Sequence, residues 1–460
     1  MKTTPMCALR PVPWLSVLLL PVLLSGCKFD LNACDGPEDC ELTQECSDGV
    51  CEEKPRVTVE GVVSGDTTWT ADKVWVLKDV VTVQTAAHLT IEPGTVIQGE
   101  FGTALVVRAG GVLDATGLPE APIVFTSAER KGERLPGDWG GLVLLGNAPV
   151  NRPHATLRIH PGELEPPFGG DDPEWYCGTL KYVRVEFAGG EVSGEEYLNN
   201  LSLGGCGSTT VIDYVQLHYG GDDGLEIFGG TVNVSHVAIT RAGDEGLDID
   251  LGWQGRGQFI AVQLDPGSSA SVEIDNLKED ATAVPLTDFH IYNYTFIGSP
   301  DVDSQRGITF KAGGGGFFSH GIMMTHGKEA VDVWGVEAGW RALAGDCVLQ
   351  NTLFYDIGEG GTHYFPVAGE ADEDDGSGDD DAGFAEDQFY TDPARHNLFG
   401  VDPEIADAHD LLHPGWVPAS DAVVGVDAPP APFDPTANYL GAFAPNTLPW
   451  TMGWTAYPEN

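Results

Sequence analysis

The sequence predicts an all-β chain wound as a parallel β-helix, and two observations carry this: a repeat at a fixed offset and the strand pattern inside it. YVQLHYGGDDGLEI begins at Tyr214 and HVAITRAGDEGLDI at His236, so Gly-Asp-Asp-Gly-Leu-Glu-Ile and Gly-Asp-Glu-Gly-Leu-Asp-Ile recur 22 residues apart. Self-similarity at such a period marks stacked coils. A third copy, HGIMMTHGKEAVDV, starts at His320, 84 residues beyond His236, an offset that reads as four further coils of about 21. Each copy alternates apolar and polar residues over short runs that break at Gly, which makes strands rather than helices. A coil of roughly 20 residues with two or three short strands and Gly/Asp turns is one rung of such a solenoid.

In chain order, residues 1–26 read as an address. Lys2 and Arg10 supply a positive start, Trp14 to Leu24 is an apolar run too short to span a bilayer, and Leu24-Ser25-Gly26-Cys27 follows. This ending resembles the lipobox of bacterial lipoproteins, which implies cleavage before Cys27 and a lipid on that residue. An ordinary secretory signal is the plainer alternative. Acyl chains contribute about 0.8 kcal/mol per buried CH₂, so two or three anchor a protein to a membrane durably. Lys28, where many inner-membrane lipoproteins carry Asp, points to the outer membrane or cell surface.

Composition fits export. With 23 basic and 70 acidic residues the net charge is −47, which excludes nucleic acid and anionic lipid as partners and suits cations. A hydrophobic content of 42% over 460 residues is enough to fill a long core. Cys34, Cys40, Cys46 and Cys51 form an evenly spaced group in a tether over 27–56, where two disulfides with three possible connectivities are expected and a structural zinc site is the competitor.

Coils are expected over 57–387. Val80–Val83, Leu89–Ile91, Leu105–Val107, Ile123–Phe125 and Leu142–Leu145 are β-prone runs separated by PG, AGG, ATG and GNAP turns. VWVLKDVVTV, LTIEPGTVIQG, ALVVRAGGVLDATG, APIVFTS and GDWGGLVLLGNAPVN, with LKYVRVEFAGG, GWQGRGQF and the NYLGAF and PWTMGWTAY ending, resemble successive pieces of an exported bacterial β-helix family often anchored as lipoproteins. The likeness runs from about Trp75 to Tyr457. It implies a right-handed parallel β-helix of the pectate-lyase-like kind and brings no assigned substrate or catalytic residues.

Three segments depart from the pattern. The Pro-rich stretch Arg152–Cys177 is expected as a surface loop, and the acidic run 370–387 as a solvated loop or one ordered by calcium. The Pro-rich region 388–460 is expected as an irregular terminal cap, with Trp450, Trp454 and Tyr457 packed onto the last strands. Cys177 and Cys206 open adjacent coil-like units and suit a rung-to-rung disulfide, leaving Cys347 as a buried thiol.

The chemistry lies in the repeat. Stacking at about 4.8 Å sets Asp222 beside Asp244, Asp223 beside Glu245 and Glu226 beside Asp248. Two like charges at that distance repel by ~3 kcal/mol at an effective dielectric of 20, so the ladder calls for a counter-ion. Calcium suits six to eight hard oxygens in loose geometry, while capping of turns by the same carboxylates is the simpler account.

Asp222 and Asp223 resemble the paired Asp of β-helix polygalacturonases, but the Asn-Thr-Asp, Gly-His-Gly and Arg-Ile-Lys companions of that motif are missing. A lyase needs calcium-binding acids and an Arg or Lys base, for which Arg241 and Lys311 are candidates. Trp139, Trp253, Trp334 and Trp340 lie in Gly-rich turns and suit either sugar stacking or core packing. His218, His236, His320 and His326 are expected as satisfied structural residues.

Three functions follow. A non-catalytic surface lipoprotein offers its acidic face for adhesion, envelope structure or glycan contact, with a surface polysaccharide or protein as partner. A calcium-dependent polysaccharide lyase or glycoside hydrolase is the alternative, and a calcium-buffering surface layer the third. A cleft lined with acids and a cation favours an enzyme; a flat face favours the first.

Overall fold

The computed structural model describes residues 34, 36, 40–159, 165–191, 197–300, 302–366 and 381–460. The expected signal segment, Cys27 and residues 370–380 of the acidic run lie outside these. The chain divides into two compact units, residues 1–53 and Lys54–Asn460. In the first, Cys34 pairs with Cys46 and Cys40 with Cys51 around an antiparallel hairpin of Gln44–Ser47 and Val50–Glu53. That selects one of the three connectivities and removes these sulfurs as zinc ligands.

The second unit is a parallel β-helix. One sheet stacks ten strands in coil order: Val62–Val63, Val80–Val83, Ala104–Val107, Gly141–Leu145, Leu201–Gly204, Leu225–Phe228, Leu247–Asp250, Ala270–Ile274, Arg306–Phe310 and Glu329–Val333. Alternate side chains of a strand share a face, so register turns sequence alternation into columns. Leu105, Leu142, Leu201, Leu225, Leu247, Val272, Ile308 and Val331 form one inward column, all buried. Each such side chain contributes roughly 1.5–3 kcal/mol when fully withdrawn from water.

The opposite sheet runs from Arg56–Val59 to Leu398–Phe399. From Gly178–Glu186 to Cys347–Tyr355 its strands are eight or nine residues long and bend at one residue of positive φ: Tyr182, Tyr214, His236, Phe259, Asn293, His320 and Asn351. Left-handed backbone costs such residues roughly 1–2 kcal/mol each and persists where the surroundings fix it. Here the surroundings are the neighbouring copies. Ring centroids lie 4.6 Å apart for Tyr182 and Tyr214, 4.2 Å for Tyr214 and His236, and 4.7 Å for His236 and Phe259.

The same register corrects the coil count. Ser235 pairs with Gln258, Gln258 with Tyr292 and Tyr292 with Ser319, so the 84-residue offset spans three coils of unequal length, not four of 21. Loops between strands absorb the excess. Cys177 and Cys206 are bonded, and Cys347 is a buried free thiol. The loop after Asn151 does more than cross the surface: Ala155, Ile159 and Phe168 cover the outward apolar residues Val106, Val143 and Leu145.

From residue 381 the chain adds a short helix, Glu386–Tyr390, and the two-residue strand Leu398–Phe399, is otherwise largely irregular, and has two tasks. Phe384 and Tyr390 close the core at the last coil. The remainder runs back along the outside of the long-stranded sheet, so Trp450, Trp454 and Tyr457 do not pack on the last strands. Trp454 lies 5.7 Å from Tyr182 and Trp450 5.3 Å from His236. Gln216 donates to the Ala456 carbonyl at 2.6 Å, and Asn293 donates to those of Ala437 and Tyr439 at 3.1 and 2.9 Å. The exposed edges of the bent residues supply rings and amides that the tail covers. A nine-residue helix, Val336–Ala344, is an element the strand pattern did not announce; we call it α1.

Trp454 is 2% exposed, so Trp454→Ala is expected to cost about 3–5 kcal/mol. Chemical denaturation measures this, and an unchanged midpoint would show that the tail rests on the sheet without stabilising it.

Candidate functional site: an acidic cleft

The outward row of the ten-stranded sheet changes character along the axis. In register order it reads Val106, Val143, Ser202, Glu226, Asp248, Glu273, Thr309 and Asp332. Where the covering loop ends, acids begin. Leu225, Ile227, Leu247 and Ile249 are buried, which turns Glu226 and Asp248 outward. A cleft of about 460 Å³ opens there, lined by Asp222, Asp223, Glu226, Asp244, Glu245, Asp248 and Glu273 with Lys278, Arg306 and Lys311.

All six acids picked out by the 22-residue offset meet in this cleft. Carboxylate oxygens of Asp222, Asp223 and Asp244 lie within 4.8 Å of one another, and so do those of Asp223, Glu226 and Asp248. Asp223 belongs to both groups. Turn capping explains part of the pattern, since Asp223 accepts from the Glu245 amide at 3.0 Å. Asp222, Glu226, Asp244 and Asp248 accept no backbone N–H among the described residues. Asp248 Oδ1 is buried without any hydrogen-bond partner. Glu226 accepts from the Asn199 amide, and Glu245 from the Ser269 hydroxyl.

Arg306 and Lys311 lie further along the row, Lys278 is near enough for its charge to act on Glu226 and Asp248, and each of the three is already paired. Lys311 bonds Glu273, Lys278 lies 3.2 Å from Asp275, and Arg306 reaches Glu329 at 2.8 Å and Asp332 at 2.9 Å. The six acids are left facing each other. Burial first, then the charge of neighbouring acids, pushes five of the carboxyls upward: Asp222 to about 6, Glu245 to about 7, and Asp223, Glu226 and Asp248 well above the carboxylate range. Burial and Asp275 raise Asp250 to about 7. Without a cation the cleft therefore keeps protons at neutral pH.

Oxygen is the only donor the acids offer, in two convergent groups with an orphaned buried oxygen between neighbours; that set fits calcium and lacks the His or Cys zinc prefers. Arg241 is not part of it. Its guanidinium bonds Asp265 at 2.7 Å and lies over the Tyr219 ring, so the first of the two base candidates falls outside the cleft while Lys311 lies within it. Each of the four histidines has a hydrogen-bond partner, but not all are fully satisfied: His218 contacts Thr240 and the Pro458 carbonyl, His236 contacts Asp213, His320 the Asp427 carbonyl and His326 Ser271, while His326 Nδ1 is buried without a partner. Glu273 was legible and missed, because VEID at Val272 repeats LDID at Leu247 and LEIF at Leu225. Lys278 and Arg306 gave no such signal.

A solenoid of parallel coils with an acidic cleft on one sheet is thus the frame. The model of the pectate-lyase-like β-helix domain matches residues 61–374, and the chain belongs to that family. No curated protein and no solved structure matches it.

The raised carboxyls set a pH dependence. A folded pKa above the unfolded one gives stability that is full below the unfolded value and lost as pH rises through the folded value. Buried His218, depressed to about 4, and His326, also depressed, act oppositely up to their ordinary value near 6.5. The window for the acids alone is therefore above 6.5. In chelator, the melting temperature is expected to fall between pH 6.5 and 8, and less so in Asp248→Asn; a flat or rising profile contradicts the charge assignment.

Proposed function

We propose that this protein is an exported, lipid-anchored surface protein whose acidic cleft takes up calcium and, with it, an acidic polysaccharide. The leader ending at Cys27 and the disulfide-bonded segment behind it support export and anchoring. One observation carries the site: six carboxyl groups converge in a cleft with no cation within ion-pair distance among the described residues. Such an arrangement costs stability, which makes sense where a ligand brings the positive charge. Asp222, Asp223 and Asp244 would hold one cation and Asp223, Glu226 and Asp248 are the second candidate group. Bound calcium supplies a positive charge that attracts the carboxylate of a sugar acid. Lys278, Lys311 and Arg306, each oriented by its own acid partner, offer hydrogen bonds to carboxylate or hydroxyl groups along the same cleft.

A second reading, cleavage of the polysaccharide by elimination, is favoured by the place of Lys311 in the cleft. Binding ranks first because every cation there is engaged in an ion pair and none stands free to take a proton. Inverting hydrolysis by Asp222 and Asp223 is disfavoured, since their oxygens lie within 4.8 Å whereas that mechanism sets its carboxyls roughly 6.5–9.5 Å apart.

The test begins with calcium. It binds the folded coils only, so a hundredfold excess over Kd is expected to add about 2.7 kcal/mol of stability, with magnesium adding much less because it demands tighter octahedral geometry. Asp223→Asn, which alters the carboxyl common to both groups, is expected to remove most of the gain at pH 8. The same protein is then titrated with polyuronates in calcium and in chelator while unsaturated products are followed by ultraviolet absorbance. Binding in calcium alone supports the first reading and product formation the second; a melting curve indifferent to calcium and chelator sinks both.

A further inference from the structure

The four Trp of the Gly-rich turns separate by burial. Trp139 and Trp253 are in the core, Trp334 is half-buried, and Trp340 is 58% exposed. Trp340 belongs to α1, a helix built inside out. Ala338, Gly339 and Ala342 face inward, whereas Val336, Trp340 and Leu343, spaced i, i+4 and i+7, face solvent. Apolar side chains at that spacing ordinarily seek the core.

The helix is held in this orientation. A Cβ on Gly339 would meet the Asp381 carbonyl oxygen at 1.9 Å, so only glycine allows the close approach. Arg341 donates to the Gly313 carbonyl at 3.1 Å, the Thr287 carbonyl at 3.2 Å and Asp346 at 2.8 Å. α1 cannot roll to bury its stripe without breaking these bonds.

Its position connects it to the cleft. Lys311, bonded to Glu273, lies 4.6 Å from the centroid of the Trp334 ring. Trp334 is followed by Gly335, which caps α1, and Val336 opens the helix; Trp340, four residues further, stands about 6 Å along its axis. Trp334 thus joins the cationic end of the cleft to the start of α1.

We propose that α1 is a platform for one further sugar ring of the polysaccharide held in the cleft, with the exposed indole of Trp340 stacking on the ring face and Trp334 forming the wall between. This rests on the polysaccharide reading of the cleft. Three side chains fall far short of the roughly 800 Å² per partner that a stable dimer buries. The net charge of −47 repels an anionic membrane. An amphipathic indole beside a polar cleft suits a sugar, which is apolar on its ring face and polar at its edge.

The experiment titrates the mature chain, Trp340→Ala and Trp340→Phe with oligogalacturonates and oligoguluronates of increasing length, by calorimetry in calcium. Affinity of the wild type is expected to rise with length. Trp340→Ala is expected to lose roughly tenfold, about 1.4 kcal/mol, on the longer oligomers and nothing on the shortest one bound, while its calcium-dependent melting stays unchanged and Trp340→Phe recovers most of the loss. Equal affinities of wild type and Trp340→Ala at every length overturn the platform and leave the cleft reading intact. A wild type that melts higher in calcium yet binds no oligomer overturns both. Loss of self-association or of vesicle binding in Trp340→Ala, with oligomer affinity unchanged, also overturns the platform and assigns the stripe to another partner.

Discussion

The parallel register between coils is the constraint on which the rest of this molecule depends. Backbone hydrogen bonds hold equivalent residues at strand spacing, about 4.8 Å, so whatever one coil places at a position the next must tolerate. Inside, this is favourable: columns of Leu, Val and Ile pack like on like. Outside, the same rule brings carboxyl against carboxyl. Glu226 and Asp248 are neighbours because Leu225 and Leu247 are.

That outward row explains why the cleft sits where it does. Early coils place Val106 and Val143 on the row, and the loop carrying Ala155 and Phe168 covers them. Later coils place acids there and, among the described residues, have no such cover. Later still the row is neutralised from within, Glu273 by Lys311 and Asp332 by Arg306. Only the stretch between is left with unbalanced buried charge. Proteins keep such frustrated patches where a ligand relieves them, and the protons held by Asp223, Glu226 and Asp248 near neutrality occupy the place a cation can take.

The long-stranded sheet solves a different problem. Each coil bends through one left-handed residue whose side chain emerges on the flank, giving a stack of Tyr182, Tyr214, His236 and Phe259. Left open, this stack would be an apolar strip with unsatisfied amides beside it. The returning tail covers it with Trp450 and Trp454 and supplies carbonyls to Gln216, His218 and Asn293. α1 shows the reverse choice. There the small residues are packed and the large ones left in water.

Sequence alone determined the features that repeat at constant spacing. The 22-residue offset is one coil over which both sheets keep the same spacing, so it fixed the strand type, the inward columns and the six acids together. The VEID copy extends the ladder by one more rung and was readable by the same rule. Only tertiary structure decided the rest. Offsets fail once loops enter between strands, as between Gln258 and Tyr292, which is why four equal coils were expected where three unequal ones occur. Lys278 and Arg306 reach the cleft from such loops and strand starts without a repeating signal. The course of the tail was hidden for a further reason: Gln216 and Ala456 meet across 240 residues, and local hydrophobic pattern records which face a residue turns inward, not which distant segment will cover the other.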